Sequence, residues 1–215
     1  MKLTDKYRPR SLVDIVGQPH VVQALTRIAA SPSECALLLA GYTGSGKSSA
    51  AMALAEALGC IVEQAEFGGL WKIPSGEQTA DTVRALSRRL WQVPMMGKGW
   101  KVVIVNECDI MSIQAQHVWL DLLESIPPHT VFVFTTNDVA KLSDRFRDRC
   151  QEFVFRSSVD DVKQAAQELV KRICAAEGLG DPPKEAFTRI VRDGHISFRR
   201  CVQAVESYAM SQVAA

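Results

Sequence analysis

A parallel α/β sheet followed by a smaller all-helical part is the fold class that this sequence predicts, on three observations. Short apolar runs ending in polar residues alternate with helical stretches between residues 36 and 155. The first of those runs leads straight into Gly41-Tyr42-Thr43-Gly44-Ser45-Gly46-Lys47-Ser48, a glycine-rich stretch with Lys and Ser at its end. After Phe155 only helical periodicity remains.

Taken in order, Lys6-Tyr7-Arg8-Pro9 reads as an extended arm, after which Val21, Val22, Leu25 and Ile28 recur on one helical face. Ser31-Pro32-Ser33 closes that helix, and the apolar run 36–40 is a buried strand. Residues 41–48 have the G-x-x-x-x-G-K-[ST] spacing of a phosphate-binding loop. Gly41, Gly44 and Gly46 let the backbone turn so that its N–H groups converge on an anion. Lys47 then reaches the outer phosphates, and the Ser48 hydroxyl can ligate Mg²⁺. Thr43, Ser45 and Ser49 complete the binding positions, and a helix over 49–58, ending at Gly59, adds the positive end of its dipole.

Residues 61–67 read as a second strand and 68–76 as an irregular connection. Residues 79–91 are helical in pattern, with Val83, Leu86, Leu90 and Trp91 on the apolar side. Arg84, Arg88 and Arg89 lie elsewhere on it and read first as a solvated face. If DNA is bound, they or the helix starting at Ser112 would touch phosphates rather than bases. After the turn Gly97-Lys98-Gly99, the run 102–105 is a buried parallel strand ending in Asn106 and Glu107. A Ser cap opens a helix over 112–126, which Pro127-Pro128 stops. The run 131–134 is the next buried strand and ends in Thr135, Thr136 and Asn137; a short basic helix over 142–149 and a last strand over 152–155 follow. Polar residues at the strand ends put the ligand site at the carboxyl edge of the sheet. Residues 158–176, 184–191 and 198–210 are three helical segments with no strand candidate among them. The expected domains are therefore 1–155 and 156–215.

The chain has 215 residues, 47% of them hydrophobic, enough for a substantial core. Lys and Arg number 25 against 24 Asp and Glu, so any nucleic-acid contact would be a local patch rather than a global field. The six cysteines, at 35, 60, 108, 150, 174 and 201, form no C-x-x-C, which indicates neither zinc nor a disulfide framework and suits a reducing compartment. Without an apolar leader or a run long enough to cross a bilayer, the expected location is the cytoplasm and no membrane partner is expected.

Together these motifs resemble the AAA+ ATPases of the clamp-loader clade, namely the gamma/tau subunit of bacterial DNA polymerase III and the small subunits of replication factor C. The carriers are Lys6-Tyr7-Arg8-Pro9 with Asp14-Ile15-Val16-Gly17-Gln18, the loop 41–48, residues 102–109 with the helix behind them, Asp148-Arg149-Cys150, and Ser197-Phe198-Arg199-Arg200. The resemblance implies a P-loop NTPase sheet in an AAA+ ATPase domain with a small all-helical lid domain, and ATP with Mg²⁺ as cofactors. Tyr7, Arg8 and Val16 would lie over the adenine, Asn106 with Ser48 would hold the metal, and Glu107 would polarise the attacking water. Asn137 would contact the γ-phosphate, Arg199 would reach down from the lid, and Arg149 would act on a neighbouring subunit's nucleotide. Implied partners are other AAA+ subunits, a sliding clamp and primer-template DNA. An ATP-binding but hydrolysis-poor subunit, or a loader acting on another protein, are the alternatives.

Three departures from that pattern stand out. Asn106 replaces the usual aspartate, Asp148 replaces the signature serine, and the sequence ends after the lid, before the helical collar of the resembled loaders. Their zinc module is also missing between the two nucleotide motifs, where Cys60 stands alone. The expectation is a compact relative whose hydrolysis is slow because of Asn106.

Overall fold

The structure, a computed structural model, describes residues 1–64, 67–180, 191–192 and 194–213. Five strands form the main sheet: β1 (Cys35–Gly41), β2 (Leu70–Ile73), β3 (Lys101–Val105), β4 (Thr130–Thr136) and β5 (Gln151–Phe155). They pair in the order β2-β3-β4-β1-β5, every pair parallel. β3 and β4 are buried along their whole length, and β1 at every residue but its first and last. That is what unbroken apolar runs require when both faces of a sheet are covered.

Each face has its own core. On one side α2 (Pro19–Ala30) and α3 (Lys47–Ala57) bring Val21, Leu25, Ala51 and Leu54 onto Leu37, Leu39, Val102, Ile104 and Val133. On the other, α4 (Ala80–Arg89), α5 (Ile113–Glu124) and α6 (Asp144–Arg147) pack Val83, Leu86, Trp119 and Phe146 against Leu38, Val103, Phe132 and Phe134. The Trp119 ring meets Phe132 and Phe134 edge-on, with centroids 5.4 and 5.0 Å away. The Thr79 hydroxyl accepts from Thr82 N and that of Ser112 from Ala115 N, capping α4 and α5.

A third core lies between α7 (Val159–Ala176) and α8 (Phe198–Val213), where Val162, Leu169 and Ile173 face Phe198, Val202 and Val205. Leu3 joins it from α1 (Leu3–Lys6), and Lys6 and Tyr7 both reach Glu177 at the end of α7. The N-terminal arm thus packs on the C-terminal helices. At the junction between sheet and helices, the fully buried Gln18 amide donates to Arg156 O at 2.6 Å and accepts from Arg156 N at 2.9 Å.

Four expectations require correction. The second strand lies at Leu70–Ile73 rather than over 61–67, where the chain makes a short 3-10 turn at Val62–Gln64. As an edge strand, β2 buries only its two ends, so neither continuous apolarity nor clean alternation marks it. Trp91, expected on the apolar side of its helix, lies past the end of α4 and is 60% exposed. The arm opens with a helical turn, α1, instead of being extended throughout. The C-terminal part is not purely helical: β6 (Val191–Arg192) and β7 (His195–Ile196) form a small antiparallel hairpin. Apart from Val191, the helix expected over 184–191 lies outside the described residues.

Candidate nucleotide site

The loop after β1 turns through Gly44 and Gly46, both at positive φ, into α3, which begins at Lys47 rather than at residue 49. Lys47 is buried, and its Nζ donates to Gly41 O at 2.6 Å, Tyr42 O at 3.0 Å and Asn137 Oδ1 at 3.0 Å. All three acceptors are neutral, so no bonded anion compensates the charge. Burial lowers the Lys47 pKa to about 8, with the Asp109 charge opposing that fall and Arg199 adding to it. A buried cation among neutral acceptors, with loop N–H groups and a helix N-terminus around it, fits a polyphosphate.

The strand ends meet this loop. Ser48 Oγ donates to Asn106 Oδ1 at 3.1 Å, which joins the two expected metal positions. Glu107, next in the chain, adopts a left-handed backbone at φ 52° and ψ 52°, an unusual state for a non-glycine residue that turns it off the end of β3. Its N–H donates to Thr135 Oγ1 at 3.1 Å, and the buried Gln78 amide bonds to the carbonyls of Asn106 and Glu107. The donors on offer to a cation are one hydroxyl and one neutral amide. Among the described residues no three His, Cys, Asp or Glu side chains come together as a metal site. The Ser48–Asn106 pair brings Mg²⁺ no carboxylate of its own, so it fits the ion only where phosphate oxygens supply most of the ligands and the charge, with Glu107 lining the same cavity.

The C-terminal helices close over the loop. Phe198 N donates to Gly44 O at 2.9 Å, and the Tyr42 ring stacks on His195 with centroids 4.7 Å apart. Between the loop, the strand ends, the N-terminal arm and α8 lies a cavity of about 650 Å³. Its lining includes Thr43, Gly44, Ser45, Gly46, Lys47, Ser48 and Ser49, together with Asn106, Glu107, Asn137 and Arg199. Tyr7, Arg8 and Val16 line it too. Gly41 is not among its lining residues and meets the site only through its carbonyl, which accepts from Lys47 Nζ. Arg149 is the expected site residue that lies elsewhere: it donates to Arg145 O at 2.9 Å and pairs with Glu124 at the end of α5.

A family model described as DNA polymerase III, delta subunit, matches residues 71–159. The replication factor C small subunit of Methanothermobacter thermautotrophicus is 33% identical over 214 residues, covering 95% of this chain and 62% of its own. That of Aeropyrum pernix is 32% identical over 213 residues, covering 96% and 62%. The DNA polymerase III subunit tau of Escherichia coli is 29% identical over 200 residues, covering 85% of this chain and 30% of its own. This chain is a relative of the clamp-loader AAA+ ATPases. It spans 62% of the length of those replication factor C subunits. Among solved structures, the Thermotoga maritima RuvB Holliday junction branch migration motor superposes with a TM-score of 0.70 at 19% identity, covering 97% of this chain and 68% of its own. A DNA polymerase III gamma subunit-related protein from the same organism gives 0.61 at 19%, covering 89% and 61%. These two likenesses establish the α/β P-loop fold and nothing further.

Within this AAA+ fold, three contributors to the cavity's geometry escaped the sequence reading. Asp109 accepts from Thr136 Oγ1 at 3.0 Å and Asn137 N at 3.2 Å, and so fixes the strand end whose amide meets Lys47. Gln78 holds the backbone of 106 and 107 from between the stretch 68–76, read as an irregular connection, and the helix expected from residue 79. Lys72 lines the cavity from the strand that was misplaced. The only available signal for Asp109 was a carboxylate three residues beyond Asn106.

Proposed function

We propose that this chain is an ATP-binding and ATP-hydrolysing AAA+ subunit of a clamp-loader-like complex, in which ATP turnover is coupled to loading of a sliding clamp on DNA during replication. The observation that carries the reading is the cavity that gathers Lys47, Ser48, Glu107, Asn137 and Arg199 from four separate parts of the chain. Phosphoryl transfer needs positioning and charge rather than covalent chemistry, and these side chains supply both. The loop N–H groups and Lys47 take the phosphates, Tyr7, Arg8 and Val16 enclose the base, and Arg199 adds positive charge from the α8 side. Glu107, held by Thr135 and Gln78, polarises water, while Asn137 sets the γ-phosphate contact and, through Lys47, shares it with the loop. Mg²⁺, taken chiefly by the phosphates and Ser48 with Asn106 beside it, would supply further charge at the leaving group.

In this reading residues 1–155 form the ATP-binding domain and 156–215 the lid. Arg149, on the outer surface, serves the nucleotide of a neighbouring subunit. Other AAA+ subunits, a sliding clamp and primer-template DNA are the proposed partners, and the cytoplasm is the proposed location. No helix among the described residues is long and apolar enough to cross a membrane. The test is capture of the cognate sliding clamp on immobilised chain with a non-hydrolysable ATP analogue, for the wild type and Lys47→Ala. Nucleotide-dependent capture, lost in the variant, is expected. Nucleotide binding without clamp capture moves the reading to an AAA+ loader acting on another protein.

A second reading, an ATP-binding but hydrolysis-poor subunit, is favoured by the neutral Ser48–Asn106 pair. Asn106→Asp puts a carboxylate there, and phosphate release should rise about tenfold, the equivalent of about 1.4 kcal/mol of barrier. No rise, or a fall, would remove the ground for this second reading.

A further inference from the structure

We propose that Lys72 is a phosphate-binding residue of this site, and that through it the chain holds nucleoside triphosphate with little help from a divalent cation. The proposal rests on the nucleotide reading of the same cavity. Lys72 is the third residue of β2, and alternation fixes the face it occupies. Leu70 belongs to the core on the α3 side, whereas Trp71 and Ile73 pack with the opposite core, so Lys72 lies on the α3 side with Leu70. In register it stands beside Ile104 of β3. Ile104 and Asn106, two residues apart on that same side, both line the cavity, as do Lys72 itself and Ser49 and Met52 of α3.

The Lys72 side chain makes no hydrogen bond or ion pair among the described residues. A lysine on an edge strand commonly serves only to discourage edge-to-edge pairing. This one instead shares the α3-facing side of the strand with Leu70 and lines the same cavity as Ser48 and Asn106. Two features of that wall move its charge in one direction: an amide stands where a carboxylate would hold the hydration shell of a metal, and an ammonium stands on the neighbouring strand. A divalent cation meets Lys72 as a repelling neighbour, while a triphosphate meets it as a counter-ion. The flexible four-carbon stem suits a point charge that follows the anion rather than one fixed in a bidentate geometry.

The experiment titrates the wild type, Lys72→Met and Asn106→Asp with a fluorescent ATP analogue, once with excess Mg²⁺ and once in EDTA. Wild-type affinity should differ by less than about threefold between the two media, since Lys72 neutralises charge in both. Lys72→Met, a change at an exposed position, should bind more weakly than the wild type in both media, by about tenfold in EDTA and by less with Mg²⁺, which then supplies part of the missing charge. Asn106→Asp should bind appreciably better with Mg²⁺ than without it. A wild type that loses more than about tenfold in EDTA, or a Lys72→Met chain that matches the wild type in both media, overturns the proposal and leaves an edge lysine only. An Asn106→Asp chain as indifferent to Mg²⁺ as the wild type also counts against it. Failure of the wild type to bind in either medium instead strikes the nucleotide reading beneath it.

Discussion

Lys47 is a buried ammonium bonded to two loop carbonyls and an amide oxygen, with its pKa brought down to about 8 by burial. A triphosphate would restore the missing counter-charge and raise that pKa again, so binding above pH 8 must take up a proton. The sign follows directly: affinity is greatest where the free protein already carries the proton, and it falls as pH rises through about 8. Titrations with nucleotide at pH 7 and pH 9 should differ by up to about tenfold, with the weaker binding at the higher pH. Equal affinity at both would place the phosphates away from Lys47. The loop, Lys47, Ser48 and the strand-end pair Asn106 and Glu107 were legible in the sequence, because a short motif with fixed spacing encodes them locally. Asp109 and Gln78 were not, since each works on residues 28 positions away in the chain and no local pattern records that.

The elements divide in the same way. β1, β3 and β4 are central and read as unbroken apolar runs, whereas β2 pairs on one side only and exposes Lys72, and the β6–β7 hairpin is two residues per strand. Strands so short or so exposed carry no periodicity to detect. What these elements do around the loop can be tested at Gly44, whose carbonyl accepts from Phe198 N and whose φ is +76°. A Cβ there would collide with Ser197 Oγ and approach Arg199 Cβ to 3.3 Å, besides placing an L side chain in the left-handed region. Gly178, at φ +68° with open space around it, has the backbone cost without the collision. Both alanine variants should lose about 1–2 kcal/mol of stability from the backbone, but only Gly44→Ala should also weaken nucleotide binding, because it lifts α8 and Arg199 off the loop. Wild-type affinity in Gly44→Ala would show that the contact between loop and α8 has no part in binding.

At the scale of the whole molecule, the cavity contains every element of the proposed chemistry except Arg149. That residue is held on the surface between the last turn of α5 and α6, paired with Glu124, and it does not line its own chain's cavity. The arrangement suits a subunit whose nucleotide is completed by its neighbour, which is the central claim of the proposed function. A chain with Arg149→Ala keeps its own site but lacks the finger, and one with Glu107→Gln keeps the finger but lacks the water-polarising carboxylate. Mixing the two therefore creates some interfaces at which an intact site meets an intact arginine. Phosphate release from the mixture should exceed the sum of the two variants assayed separately. A mixture that never rises above that sum, at any ratio, would mean that Arg149 acts within its own chain or has no role in turnover.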